Sequence, residues 1–253
     1  MLLRLRVRLP DRPGSLGQVA RTLGVTGADI VQMVVLERVG GRAVDDFTVI
    51  WPAAAPVDRI LAGLGAIPGV TVEGLWRSVG APVVGGADAE LVGQVAANPS
   101  DGIATLVDAV PGLLSADWAA VLAVAADWAR PDEETADSVP AVVCASWQAP
   151  QPLRAPDVTP LRPRSFDGGE RERYATAPFG RAGLVLLVAR GGEEGSPQAP
   201  AFHVTEVDRM AQLVRASALV LGSRLDHAAG PAHRPVDWPV NRAAPRLAAV
   251  LDS

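Results

Sequence analysis

Apolar and basic residues alternate from Leu3 to Leu9: Leu3, Leu5, Val7 and Leu9 against Arg4, Arg6 and Arg8. A period of two predicts a strand with one face buried and the other turned to solvent. Pro10 ends it, having no N–H for a ladder. Asp11-Arg12-Pro13-Gly14-Ser15 then turns the chain into a helix, with Ser15 the expected N-cap. Such a strand-to-helix turn leaves backbone amides and the positive end of a helix dipole facing solvent. That geometry suits a carboxylate.

The next elements follow from spacing. Leu16, Val19, Ala20 and Leu23 fall on one helical stripe, which Gly24 and Gly27 bring to an end. Ile30 to Val39 is rich in β-branched residues and predicts a strand. Gly40-Gly41 supplies the positive φ of a hairpin, and Val44 to Trp51 returns with Phe47, Val49 and Trp51 on one face. Val57, Ile60, Leu61 and Leu64 mark a second helix, and Pro68-Gly69 turns into a last strand, Val70 to Trp76. The order strand, helix, strand, strand, helix, strand is the ferredoxin-like βαββαβ unit, with both helices on one face of an antiparallel sheet.

Two motifs sit in register with that pattern: Asp11-Arg12-Pro13-Gly14-Ser15-Leu16 after the first strand, and Gly27-Ala28-Asp29-Ile30 entering the second. With them, residues 3–77 resemble an ACT domain, a small regulatory module. The resemblance implies that such domains pair and bind an amino acid at the interface, against the turn after the first strand. By position, Asp11, Arg12, Pro13, Gly14, Ser15, Leu16, Asp29 and Ile30 become the ligand-binding candidates. Asp29 stands where family members often present Asn, and its added negative charge disfavours an acidic ligand side chain. Gly14 permits close approach to the backbone, and Asp11 or Asp29 could accept charge-assisted bonds from an ammonium group.

Residues 81–87 read as a linker between a domain over 1–80 and a second over 88–226. Helical tracts follow from Asp88 and from Ile103, the second closed by Pro111-Gly112. Asp117 to Ala129 fits a buried strand or an apolar helix, and Ala141 to Trp147 a strand, suggesting a hairpin across the acidic segment Pro131 to Asp137. Gln148 to Glu172 has no clear period. Strands resume at Tyr174 to Pro178 and Gly183 to Arg190, and Thr205 opens a long helix to about Leu225, with Thr205 and Asp208 at capping-box spacing. From GLVLLVARGG to FHVTEVDRMAQLVRASALVLGSRL, this region resembles the final strand, Phe-bearing loop and closing helix of a GAF domain. The resemblance implies an antiparallel sheet flanked by helices, with a ligand face under Gln148 to Glu172, though no binding motif of that family is matched. Residues 227–253 read as a docked or disordered tail. The fold class expected is therefore α+β throughout.

Composition narrows the function. All 23 basic residues are Arg, which reads as the codon bias of a GC-rich genome and not as a binding surface, and the net charge is −5. Arg162, Arg164, Arg171 and Arg173 are diluted by Asp167, Glu170 and Glu172, so nucleic acid is not an expected partner. Cys144, the single cysteine, lies in the apolar run AVVCASW and reads as a buried inert thiol. No run approaches membrane-spanning length and no signal peptide is apparent, so a cytoplasmic location without membrane contact is expected. His203, His227 and His233 lack metal-ligand spacing, and His203 reads as a loop residue. Asp45-Asp46 and Asp132, Glu133 and Glu134 read as solvated charge, and nucleophile-elbow, P-loop and zincin motifs are absent. The expectation is a non-enzymatic regulatory homodimer without metal or cofactor, coupling a small amino acid to the GAF-like domain and to an unidentified protein partner. The alternatives are a ligand-free dimerisation module and an enzyme with its active site under the 148–172 segment.

Overall fold

The computed structural model describes residues 1–78, 86–124, 140–156, 158, 162–169, 171–180, 183–191 and 198–228. Most of the linker at 81–87, the acidic segment 131–137 and the tail beyond 228, with His233, lie outside the described residues.

The first eighty residues form β1 (Leu2–Pro10), α1 (Ser15–Thr26), β2 (Asp29–Val39), β3 (Arg42–Ile50), α2 (Asp58–Gly65) and β4 (Thr71–Arg77). The strands make an antiparallel sheet in the order β2-β3-β1-β4. Every second residue of β1 and β3 (Leu3, Leu5, Val7 and Leu9; Phe47 and Val49) packs against Val19 and Leu23 of α1 and Ile60 and Leu64 of α2. Both helices therefore cover one face, as the spacing predicts. Gly40 and Gly41 turn β2 into β3 with φ of 57° and 73°, the backbone a two-residue hairpin needs.

A second set follows: α3 (Ala87–Ala97), α4 (Gly102–Leu114), β5 (Trp118–Ala123), β6 (Ala141–Ala145), β7 (Arg164–Asp167), β8 (Arg173–Pro178), β9 (Leu184–Arg190), α5 (Val204–Leu221) and α6 (Arg224–Ala228). Its antiparallel sheet runs β6-β5-β9-β8-β7. Ala119 and Val121 of β5 and Leu186 and Val188 of β9 pack against α3, α4 and α5 on one side. The alternate residues Ala120, Leu122, Leu187 and Ala189 face the other way and are covered by Val158, with Leu153 and Ala155 beside them. The molecule is thus α+β, with two antiparallel sheets flanked by helices.

Several local expectations are corrected. Gly14, not Ser15, is the N-cap of α1, at φ 90°, and Ser15 is its first helical residue. Pro111 does not close α4, which continues to Leu114. Within the segment 117–129, Trp118–Ala123 form a strand, β5, paired antiparallel with β6, while 125–129 lie outside the described residues. The aperiodic stretch 148–172 contains β7, too short for periodicity to reveal. The cap of α5 lies ahead of Thr205: His203 accepts from the amide of Thr205, and Glu206 reaches back to the amide of His203. Cys144 is half-buried on β6 instead of fully enclosed.

The largest correction concerns the arginine face of β1. It is not solvated. Arg4, Arg6, Asp46, Thr48 and Trp76 share the face opposite α1 and α2, and that face is covered by residues 198–206 and the end of α4. Gly74 of β4 permits the approach, since a Cβ there would lie 2.5 Å from Cδ of Pro200.

Candidate functional site

The turn after β1 keeps the form expected of it. Asp11 N–H donates to the Gly41 carbonyl at 2.8 Å, and Ser15 N–H to the Arg12 carbonyl at 3.2 Å. Arg12, Pro13, Gly14 and Leu16 are exposed, while Ser15 is buried. No side chain caps α1, which leaves the amides of Leu16 and Gly17 without an acceptor among the described residues. A helix start of this kind presents partial positive charge to an anion.

The candidate residues are not all brought together. Asp11 is held by Arg38, whose Nη2 and Nε donate to it at 2.6 and 3.1 Å. Asp29 and Ile30 begin β2, with Asp29 opposite Ile50, whereas the turn adjoins the other end of the sheet, where Pro10 faces Arg42. β3 lies between β2 and β1, so Asp29 enters the edge strand and not a strand next to β1. Within one chain Asp29 and the turn therefore sit at opposite ends of the strands. They can serve one ligand only across two copies.

Two neighbouring carboxylates expected in solvent are buried instead. Asp46 faces the second sheet's elements, and Asp45 faces the helices α1 and α2. Their adjacency in a strand sends them to opposite faces.

Asp46 belongs to an ion network that joins the two halves of the molecule. Nε and Nη2 of Arg6 donate to its two carboxylate oxygens, each at 2.8 Å, a bidentate pair. Arg6 also donates to the Ala201 carbonyl at 2.9 Å and to Oε2 of Glu206 at 2.8 Å. Arg190, fully buried at the end of β9, donates to Oε1 of Glu206 and to the Leu114 carbonyl, both at 2.6 Å, and to the Ser115 carbonyl at 3.1 Å. Those carbonyls sit at the C-terminal end of α4, where a cation is favoured. The Arg190 guanidinium lies 4.1 Å from the Phe202 ring centre and 4.9 Å from that of Trp76. Trp76 Nε1–H donates to the Ser115 carbonyl at 3.1 Å, and Arg4 bonds the Ser115 hydroxyl and pairs with Asp46 at 3.0 Å.

Electrostatics follow from this packing. Burial would raise the Glu206 carboxyl, but Arg190 and Arg6 outweigh it and hold it at about 2. Burial lowers Arg190, whereas the bonds of Arg6 to Asp46 and Glu206 overcome burial and raise it. Both arginines stay charged. Asp45 is raised, first by burial and then by the charge of Asp46. Its Oδ1 is buried without a hydrogen-bond partner among the described residues.

Elsewhere, an open cleft of about 450 Å³ borders the junction, lined by Arg6, Glu73, Asp167, Arg173 and His203 among others. Its charges are already matched: Glu73 pairs with Arg8 at 2.5 Å and Asp167 with Arg173 at 3.4 Å. On the far face of the second sheet, Tyr174 donates to Glu172 at 2.9 Å and packs against Trp118 and Phe166. Among the described residues no cluster of His, Cys, Asp and Glu could hold a metal, and no helix is long and apolar enough to cross a membrane.

Sequence reasoning missed Asp45, Asp46, Arg190 and Glu206. Only Glu206 carried a legible signal, since a Glu three residues after His203 and ahead of an apolar helix has capping-box spacing.

No family model matches the chain, and no curated protein does. Among solved structures, a formyltetrahydrofolate deformylase from Pseudomonas putida KT2440 is similar at 16% identity and a TM-score of 0.28, over 39% of this chain and 39% of that one. An unknown protein from Galdieria sulphuraria is similar at 16% identity and a TM-score of 0.27, over 49% of this chain and 72% of that one. The chain thus spans about two fifths of the deformylase's length.

Proposed function

We propose that this protein is a non-enzymatic regulatory sensor. Its first half, a ferredoxin-like and ACT-like unit, binds a small amino acid at the Asp11–Leu16 turn. Its second half is GAF-like, and the protein works as a homodimer whose output is a partner protein. The observation that carries this reading is the placement of β1. The end of that strand runs into a helix start without a side-chain cap, and its middle, at Arg6, is bonded to Glu206 at the start of α5. A ligand that repositions the turn therefore acts on the strand that anchors the second half. Coupling of this kind requires only that the ligand favour one of two arrangements of the pair.

A thermal-shift screen of the purified protein against the twenty amino acids tests the reading. A ligand at a hundred times its dissociation constant stabilises by about 2.7 kcal/mol, which moves the midpoint by several degrees. A folded protein whose midpoint no amino acid moves would remove the reading.

One observation favours a second reading, a dimerisation module without ligand. β2 is an edge strand whose Val31, Met33, Val34, Val35 and Val39 are exposed. A long apolar edge is a ready site for strand pairing with another copy. In that reading Asp29→Ala leaves every partner and activity unchanged. The enzymatic alternative gains nothing comparable, because Val158, Leu153 and Ala155 of the segment expected to roof an active site fill the sheet face themselves.

A further inference from the structure

The two halves of the molecule also meet through a side chain that can change its charge. His203 precedes α5 in extended backbone, with φ −70° and ψ 154°. On one side of its ring, Nδ1 lies 3.3 Å from the amide nitrogen of Thr205 and 3.0 Å from that residue's hydroxyl. On the other, Nε2 lies 3.4 Å from Oε2 of Glu37 in β2, 166 residues away in the chain. The first contact stays within the second half, and the second reaches across to the first half.

These partners fix the tautomer. An amide N–H can only donate, so Nδ1 is the bare nitrogen and the ring hydrogen sits on Nε2, facing Glu37. The neutral imidazole therefore caps α5 and reaches Glu37 at once. At 3.4 Å the bond to Glu37 is long, whereas an ionised pair closes to about 2.7–2.9 Å. An added proton goes to Nδ1, where it ends acceptance from the Thr205 amide. The Thr205 hydroxyl, able to donate or accept, turns to accept from it. Nε2–H then belongs to a cation facing a carboxylate. α5 keeps the other half of its cap, because Glu206 still accepts from the amide of His203 at 2.8 Å.

The surrounding charges leave Glu37 as the partner that counts. Arg6, Glu73, Asp167 and Arg173 line the cleft beside His203, and each is paired: Arg6 with Asp46 and Glu206, Glu73 with Arg8, and Asp167 with Arg173. Glu206, on the helix that His203 caps, is held by Arg6 and Arg190. Glu37 has no other ion pair among the described residues. The positive end of α5 opposes a charge on the ring, and Glu37 favours it. The His203 side chain is 15% exposed and borders the open cleft, so protons reach it from solvent.

We propose that His203 is a proton-operated contact between the two halves: neutral, it caps α5 and holds Glu37 loosely; protonated, it releases the Thr205 amide and binds Glu37 as an ion pair. Imidazole is the side chain whose ordinary charge change falls between pH 5 and 8. A fall in pH across that range therefore tightens the contact of β2 with the start of α5 and loosens the first turn of that helix. The device does not depend on amino-acid binding.

The test uses the full chain as wild type, Glu37→Gln, His203→Asn and the double variant, since asparagine retains a capping oxygen. Chemical denaturation of the four gives the coupling between the two side chains as a double-mutant cycle. That coupling should raise the folding equilibrium constant roughly 2- to 5-fold at pH 5 and leave it nearly unchanged at pH 8. Ring-nitrogen spectra of wild type should show hydrogen on Nε2 alone at pH 8, and the Thr205 amide resonance should move as the ring titrates. A coupling that is absent at pH 5, or equal at both pH values, overturns the proposal. So does a bare Nε2 at pH 8, because that ring could neither accept from the Thr205 amide nor donate to Glu37. If a variant does not fold, the wild-type spectra decide: a Thr205 amide that ignores the charge of the ring overturns it.

Discussion

Single residues carry the electrostatics of this molecule, and two buried acids pull its stability in opposite directions with pH. Glu206 is held at about 2, below its ordinary 4.5, by Arg190 and Arg6. Its contribution is complete above the ordinary value and is lost as pH falls toward 2. Asp45 is raised by burial and by Asp46, so its contribution is present at low pH and is lost as pH rises through its folded value. Chemical denaturation at a series of pH values should show Asp45→Asn gaining on wild type as pH rises from the acid range to neutrality. Glu206→Gln should be destabilised by about 3–5 kcal/mol at neutral pH, because two buried guanidinium groups lose their anion. That deficit should shrink as pH falls from about 4.5 toward 2, the range over which wild type loses the stability its lowered carboxyl confers. A deficit independent of pH would mean that Glu206 acts through packing alone.

At the scale of elements, β1 is read correctly as a strand and incorrectly as a surface. Its arginines alternate as a solvated face would, yet Ala201 and Glu206 close over Arg6 and Ser115 meets Arg4. Gly74 makes that contact possible, because Pro200 occupies the space a side chain would need. Gly74→Ala should cost about 1–3 kcal/mol, the usual penalty of overpacking, measured by denaturant midpoint. Gly14→Ala, where nothing lies within 4 Å of the added Cβ, carries only the strain of φ 90°. The capping box of α5 serves two purposes at once: Glu206 accepts from the amide of His203 and from Arg6 through the same oxygen. A cap local in sequence thereby becomes a contact between halves of the molecule.

For the whole molecule, the ion network is the link that joins its two halves, and the proposed sensor function would act through it. Arg6 and Asp46 come from the first sheet, Arg190 and Glu206 from the second half, and Trp76 and Phe202 enclose the Arg190 guanidinium. Desolvated pairs of this kind favour one docked geometry strongly over its neighbours, because a small displacement leaves charges buried and unmatched. Wild type should therefore unfold in one calorimetric transition, and Glu206→Gln should separate it into two, as each half retains its own core. A single transition in the variant would show that the apolar contacts at the junction suffice without the network.

By itself the sequence determined the local chemistry: the βαββαβ order, the glycine-led turns, most helix and strand positions and the Asp11–Leu16 turn. Each depends on residues close in the chain, through period, proline or positive φ, so each is legible in a linear string. What covers a face is not local. Asp46 looks solvated, and Arg4 and Arg6 look like a wet edge, because burial there is decided by segments more than a hundred residues away. Register likewise places Asp29 and the turn at opposite ends of the sheet, which no motif spacing records. Tertiary structure alone chose which charges are buried, and burial gives a charge its energetic consequence by removing the water that would otherwise screen it.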